Sequence, residues 1–185
     1  MQRTDLITSD FKSLEIYFHK LFQFHGETLK EEKALPIVVH DNNSGVSANS
    51  HGISQYIKPG MVIDIYCFVD FSLREICKDQ KARNTIDKSF GDLKARNELS
   101  RFNKYLTTCA GLNLSEVKKS YDRLHELRNI RNKLIHEGGH IEGDDKDNFS
   151  KIKGIEVHCS LIVITDDFIR EQLEHAKKYL LAAAK

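Results

Sequence analysis

Apolar residues return along most of this chain at intervals of three and four, the period of a helix with one face turned inward. Phe11, Leu14, Phe18, Leu21, Phe22 and His25 set the first such row, which predicts a helix from about Asp10 to Lys33 capped by Ser9 or Asp10. Residues 34–60 break the pattern. Their centre, DNNSGVSANSHG, is polar and turn-rich, which predicts a long loop insertion. His40, Asp41 and His51 in it are of metal-ligand type, but nothing fixes their geometry, and a solvated loop is the simpler reading. After Pro59-Gly60, MVIDIYCFVDFSLREIC is apolar on nearly every side and predicts the most buried helix, although VIDIYCFV alone would also suit a strand. Asp64, Asp70 and Glu75 lie in or beside that run, and a buried carboxylate needs a cation or several donors.

From Lys78 to Lys104 charge dominates, and Lys78, Lys81, Arg83 and Lys88 read as a solvated face. Gly91 should break the first part of this stretch, and Leu99, Phe102, Leu106 and Cys109 form a stripe that stops at Ala110-Gly111. Asn113 with Glu116, or Ser115, opens the next helix, which runs to His136 with Val117, Tyr121, Leu124, Leu127, Leu134 and Ile135 on its apolar side. Gly138-Gly139 ends it. EGDDKDN lacks the spaced ligands and closing Glu of a calcium-binding EF-hand and reads as a solvent loop. GIEVHCSLIVIT alternates as a short hairpin does, and Asp166 or Asp167 should cap a last helix with Ile169, Leu173, Ala176 and Leu180 on one face. The whole is a mainly α chain of four to five helices with a short β-hairpin before the C-terminal helix, read as one domain over residues 1–185.

Composition narrows the function classes. With 40% hydrophobic and 30% charged residues the chain can build a core and is not low-complexity. Its 28 basic residues nearly cancel its 27 acidic ones, so no bulk field draws it to nucleic acid or to an anionic membrane, and any polyanion site must come from local clustering. Cys67, Cys77, Cys109 and Cys159 are far apart with no CxxC pair, which points to free thiols rather than a disulfide framework. The first residues lack the order of a signal peptide, and no uncharged apolar run is long enough to span a bilayer, so a cytoplasmic protein with no membrane partner is expected.

Chemistry concentrates between Glu126 and His140, ELRNIRNKLIHEGGH. On a helix, Arg131 falls in the middle of the apolar side, and burying a guanidinium without an anion is strongly destabilising. Asp64, Asp70 or Glu75 would serve as a structural partner. Asn132 and His136 lie four apart on one edge, and Arg128 extends the same row. RNKLIH, with Arg131, the adjacent Asn132, and His136 after four intervening residues, resembles the R-x4-6-H motif of HEPN-domain proteins. The upstream YDRLHELRNI and the helical frame suit that family too. The resemblance covers about Leu124 to Gly139. It implies a HEPN-like helical bundle that dimerises so that two Arg-Asn-His sets line one cleft, and a metal-independent endoribonuclease, without cofactor, in which the 2′-hydroxyl of single-stranded RNA attacks the neighbouring phosphate. His136 would move protons, Arg131 would hold the phosphate and Asn132 would orient either. Arg128 and Lys133 would be RNA contacts. Toxin–antitoxin or phage-defence roles, with a cognate antitoxin or regulatory protein as partner, are common in the family. Arg131 and His136 point about 140° apart on an ideal helix, so either the helix ends near Ile135 or a partner subunit completes the site. A second match, Arg170 and His175 in REQLEH, lacks this company.

Two other readings stay open. His136-Glu137-Gly138-Gly139-His140 matches the HExxH of zinc peptidases, where His136 and His140 would bind the metal and Glu137 would act as base. Two glycines suit a helix end better than the middle of a zinc helix, and no clear third ligand follows, with Glu156, His158 or Asp166 as candidates. The other is a non-catalytic HEPN-like interaction domain.

Overall fold

A computed structural model of the chain describes residues 3–34, 54–143 and 145–185. The loop residues His40, Asp41 and His51 lie outside these. Among the described residues are six α-helices and one antiparallel hairpin. In chain order they are α1 (Arg3–Ala34), α2 (Ser54–Arg83), α3 (Glu98–Thr108), α4 (Lys118–Glu137), α5 (Asp145–Ser150), β1 (Ile155–His158), β2 (Leu161–Ile164) and α6 (Asp166–Ala183). The hairpin stands immediately before the C-terminal helix, where the alternation placed it.

α2, α4 and α6 pack on one another, α1 lies against α2 and α6, and α3 covers α2. In α1 the buried row is Ile7, Phe11 and Phe18, so the helix starts at Arg3, ahead of the expected Ser9 or Asp10 cap. α2 buries Met61, Val62, Ile65, Val69, Leu73 and Ile76, the expected central run, but it keeps one face open, where Asp64, Cys67 and Phe71 are exposed. Burial pushes the thiol of Cys77, on the inner face, up to about 12.

Other boundaries also differ from the sequence pattern. Ala34 closes α1, and α2 already begins at Ser54 and passes through Pro59 and Gly60, which were expected to lie in the loop. Ile57 packs on the core there and Lys58 pairs with Asp166 at 2.7 Å, which holds the turn before the proline to the start of α6. The expected acidic loop contains α5, because Phe149 is buried and fixes a short helix. Thr165, rather than Asp166 or Asp167, caps α6. Its hydroxyl oxygen accepts from the Phe168 N–H at 3.2 Å and its O–H donates to the Gly154 carbonyl at 2.8 Å.

The hairpin pairs Ile155 with Ile164 and His158 with Leu161, and Cys159 and Ser160 turn between the strands, both at positive φ as a type I′ turn requires. α4 ends at Gly138 in the left-handed conformation, φ 59°. The chain leaving it joins the hairpin edge: Ile141 N–H donates to the Ser160 carbonyl at 2.8 Å and Ile162 N–H to the Gly139 carbonyl at 3.0 Å.

Candidate functional site

α4 positions the motif residues. Asn113 Oδ1 accepts from Ser115 N–H at 3.1 Å, a 3-10 turn over Ser115–Val117 follows, and the helix then buries Ser120, Leu124, Leu127 and Ile130. Ile135, expected on the apolar side, is 43% exposed. The helix stays α-helical through Glu137, so it does not end near Ile135 and the angular gap between Arg131 and His136 remains.

Arg131 and Asn132 share a cavity of about 340 Å³ with Arg128 on the same helix, Tyr66 and Asp70 on α2, and Arg96 before α3. The Arg131 guanidinium lies over the Tyr66 ring, 5.4 Å from its centroid, and Nη1–H donates to Asn132 Oδ1 at 3.1 Å. Its Nε is buried with no hydrogen-bond partner, and among the described residues no carboxylate pairs with Arg131. The three acids expected to serve it are engaged elsewhere. Asp70 accepts from Arg74 Nε at 2.9 Å, Glu75 from Lys78 at 2.6 Å with Arg3 at 3.8 Å, and the exposed Asp64 accepts from the Tyr17 hydroxyl at 3.3 Å. The structural ion pair is therefore absent at Arg131. Arg74 also holds Glu98, the other acid of the cavity wall, so both wall carboxylates are paired while, among the described residues, Arg96, Arg128 and Arg131 make no ion pair. Burial, then Asp70, holds the Tyr66 hydroxyl above the usual tyrosine range, and Arg128 and Arg131 oppose this.

His136 does not line this cavity. It is exposed, on the same four-residue row as Arg128 and Asn132, one turn or about 6 Å of helix rise beyond Asn132. Lys133, expected to touch RNA, is bound instead to Glu137 at 2.7 Å and Asp145 at 2.8 Å, and these two carboxylates, Asp145 first, raise its pKa. The zinc constellation does not assemble. Glu137 is taken by Lys133, and His140 has left the helix and bridges Leu161 through its backbone. Among the described residues no three His, Cys, Asp or Glu side chains are grouped to hold a metal ion. No helix among them is long and apolar enough to cross a membrane.

Sequence periodicity missed Tyr66 and Arg96, which reach the cavity from other elements, and the role of Arg74, which holds the two wall carboxylates. It also dismissed Arg170 and His175, which the fold brings to one cavity. His125, one turn before Arg128, packs edge-on against Tyr121 at 4.6 Å. Burial and then Arg128 and Arg96 lower its pKa, while Asp122 opposes them.

Compared with protein-family models, with curated proteins and with solved structures, the chain gives no match.

Proposed function

We propose that the chain is a metal-independent endoribonuclease of HEPN type that cuts single-stranded RNA as a homodimer, with Arg131, Asn132 and His136 as its working residues. The observation that carries this reading is Arg131: a half-buried guanidinium in a cavity wall with which, among the described residues, no carboxylate pairs, Asp70 and Glu98 of the same wall being held by Arg74. A guanidinium in a cavity wall that no carboxylate neutralises is open to an anionic ligand. A phosphate is the ligand that best fits three arginines whose neighbouring acids are already neutralised by Arg74.

In this reading the row Arg128, Asn132, His136 follows the strand along α4. The 2′-hydroxyl attacks the adjacent phosphorus, the bond to the 5′-oxygen breaks, and a 2′,3′-cyclic phosphate and a 5′-hydroxyl result. Arg131 stabilises the charge on the phosphate, and Asn132 holds Arg131 through Oδ1. His136 transfers the protons. Since one helix points Arg131 and His136 apart, the second copy supplies the histidine, and exposed Cys67 and Phe71 on α2 and Ile135 on α4 are the contact surface. A cognate neutralising protein would act by covering the same face. Incubating single-stranded RNA with the protein in EDTA tests the reading. Cutting by wild type that disappears in Arg131→Ala and in His136→Ala supports it; cutting that is unchanged in His136→Ala refutes it.

The alternative of a non-catalytic binding domain draws on one observation, the placement of His136 outside the cavity. That reading requires binding of a protein partner or a nucleotide with no RNA cutting.

A further inference from the structure

α6 carries both members of the second Arg-x4-His pair, Arg170 and His175, into a cavity of about 600 Å³ between α4 and α6. Five cations line it: Lys119 and Arg123 from α4, Lys153 from the segment before β1, and Arg170 and Lys178 from α6. Among the described residues only two carboxylates, Glu171 and Glu174, line it with them, a local balance of +3 (five minus two) on a chain whose formal net charge is +1.

Ion pairing divides the five. Glu171 is shared by Arg123, at 3.2 Å, and Lys153, and Arg123 also holds Glu126. Among the described residues Lys119, Arg170 and Lys178, all exposed, make no ion pair. Arg170 is instead held over the Phe22 ring, 4.5 Å from its centroid, a contact that positions a cation without neutralising it and leaves its outer face open. His175 Nδ1 lies 3.1 Å from Ser120 Oγ, which fixes the ring at the cavity wall.

We propose that this cavity binds a phosphate of a single-stranded nucleic acid, as an anchoring site separate from the Arg131 cavity. Free ammonium groups and a flat guanidinium match a phosphodiester and an unstacked base. Arg123 and Arg131 are eight residues apart on α4, about 12 Å along the axis and about 80° around it, so the two cavities take different phosphates. The proposal rests on the reading of the chain as a protein that acts on RNA.

The test is fluorescence anisotropy with a labelled single-stranded DNA oligonucleotide, which lacks the 2′-hydroxyl and so stays intact, titrated at several salt concentrations. Lys119→Ala/Lys178→Ala removes two cations without ion-pair partners. It should weaken binding about tenfold at low salt and lower the salt-dependence slope by about 1.4, two contacts at about 0.7 each. His175 gives a local readout. Its pKa sits below the usual histidine value through burial, then Arg123, Lys178 and Lys119, with Glu171 opposing. Lys153 and Ser120 also face this cavity wall or the ring. The His175 pKa, followed by NMR, should rise on adding the oligonucleotide to wild type and stay fixed in the double variant. Unchanged affinity and slope in the double variant, a wild type that binds no strand, or displacement of the strand by polyglutamate at equal charge concentration would each overturn the site. RNA cutting that needs Arg131 and His136 but ignores Lys119 and Lys178 removes this site alone. Strand binding lost in the double variant of a protein that cuts nothing removes the nuclease alone.

Discussion

Replacing Arg131 by Met separates a functional guanidinium from a structural one. The methionine keeps the aliphatic stem and removes the charge. What is lost is the stacking on Tyr66, about 0.5–1 kcal/mol, and one hydrogen bond to Asn132, about 1 kcal/mol. What is regained is the desolvation cost of the buried, partnerless Nε, about 1–3 kcal/mol. These contributions nearly cancel, so stability should stay within about 1.5 kcal/mol of wild type. For a chain of this size that is a shift in Tm of no more than about 6 °C. Breaking a buried ion pair from one side would instead cost about 3–5 kcal/mol. Urea unfolding followed by circular dichroism gives the number directly, and RNA cutting by the same preparation should fall by about 100-fold or more. A loss of 3 kcal/mol or more, on the ion-pair scale, would show that Arg131 holds the fold together and would refute the argument from its missing partner.

Further outcomes follow from the same geometry. If the cleft takes Arg131 from one copy and His136 from the other, mixing inactive Arg131→Ala with inactive His136→Ala should restore cutting through heterodimers; a mixture as inactive as its parts contradicts the shared cleft. Gly154→Ala should destabilise by about 2–4 kcal/mol, because the residue sits at φ 84° and a Cβ there would lie 2.8 Å from Phe168 Cβ; a thermal melt within 2 °C of wild type contradicts this. His25, His125 and His175 all have pKa values lowered, chiefly by burial, so each takes up a proton more readily unfolded than folded. Their contribution to stability is present above the unfolded value of about 6.5 and is lost as pH falls through it toward the folded values. The urea midpoint should therefore be lower at about pH 5.5 than at about pH 7.5, and a midpoint that holds or rises on acidification would contradict the burial of these rings.

The helices and the hairpin were readable because their signals are local. The Leu99, Phe102 and Leu106 stripe, the Gly138 stop and the alternation of Ile155 to Ile164 each stand within a few residues of sequence. Where long-range packing overrides a local signal, the pattern misleads. Pro59 looked like a boundary until Lys58 reached Asp166, and the acidic turn became α5 because Phe149 is buried. The candidate site divides the same way. Arg131 was readable as a cation on an apolar face, but its environment was not, since Arg74, rather than Arg131, takes Asp70. Tyr66 and Arg96 come from elements about 65 and 35 residues away along the chain, a juxtaposition periodicity does not encode. Lys133 looked as free as Arg128 until α5 brought Asp145 to it.

The proposed reaction is a metal-free transesterification of RNA by Arg131 and His136. End-group analysis of a defined single-stranded RNA, incubated with the protein in EDTA, tests it most directly. The expected result is a 2′,3′-cyclic phosphate on one fragment and a 5′-hydroxyl on the other, no cutting at a 2′-deoxy position, and no product from Arg131→Ala or His136→Ala. Fragments ending in 5′-phosphate and 3′-hydroxyl, or cutting that survives the loss of His136, would contradict it.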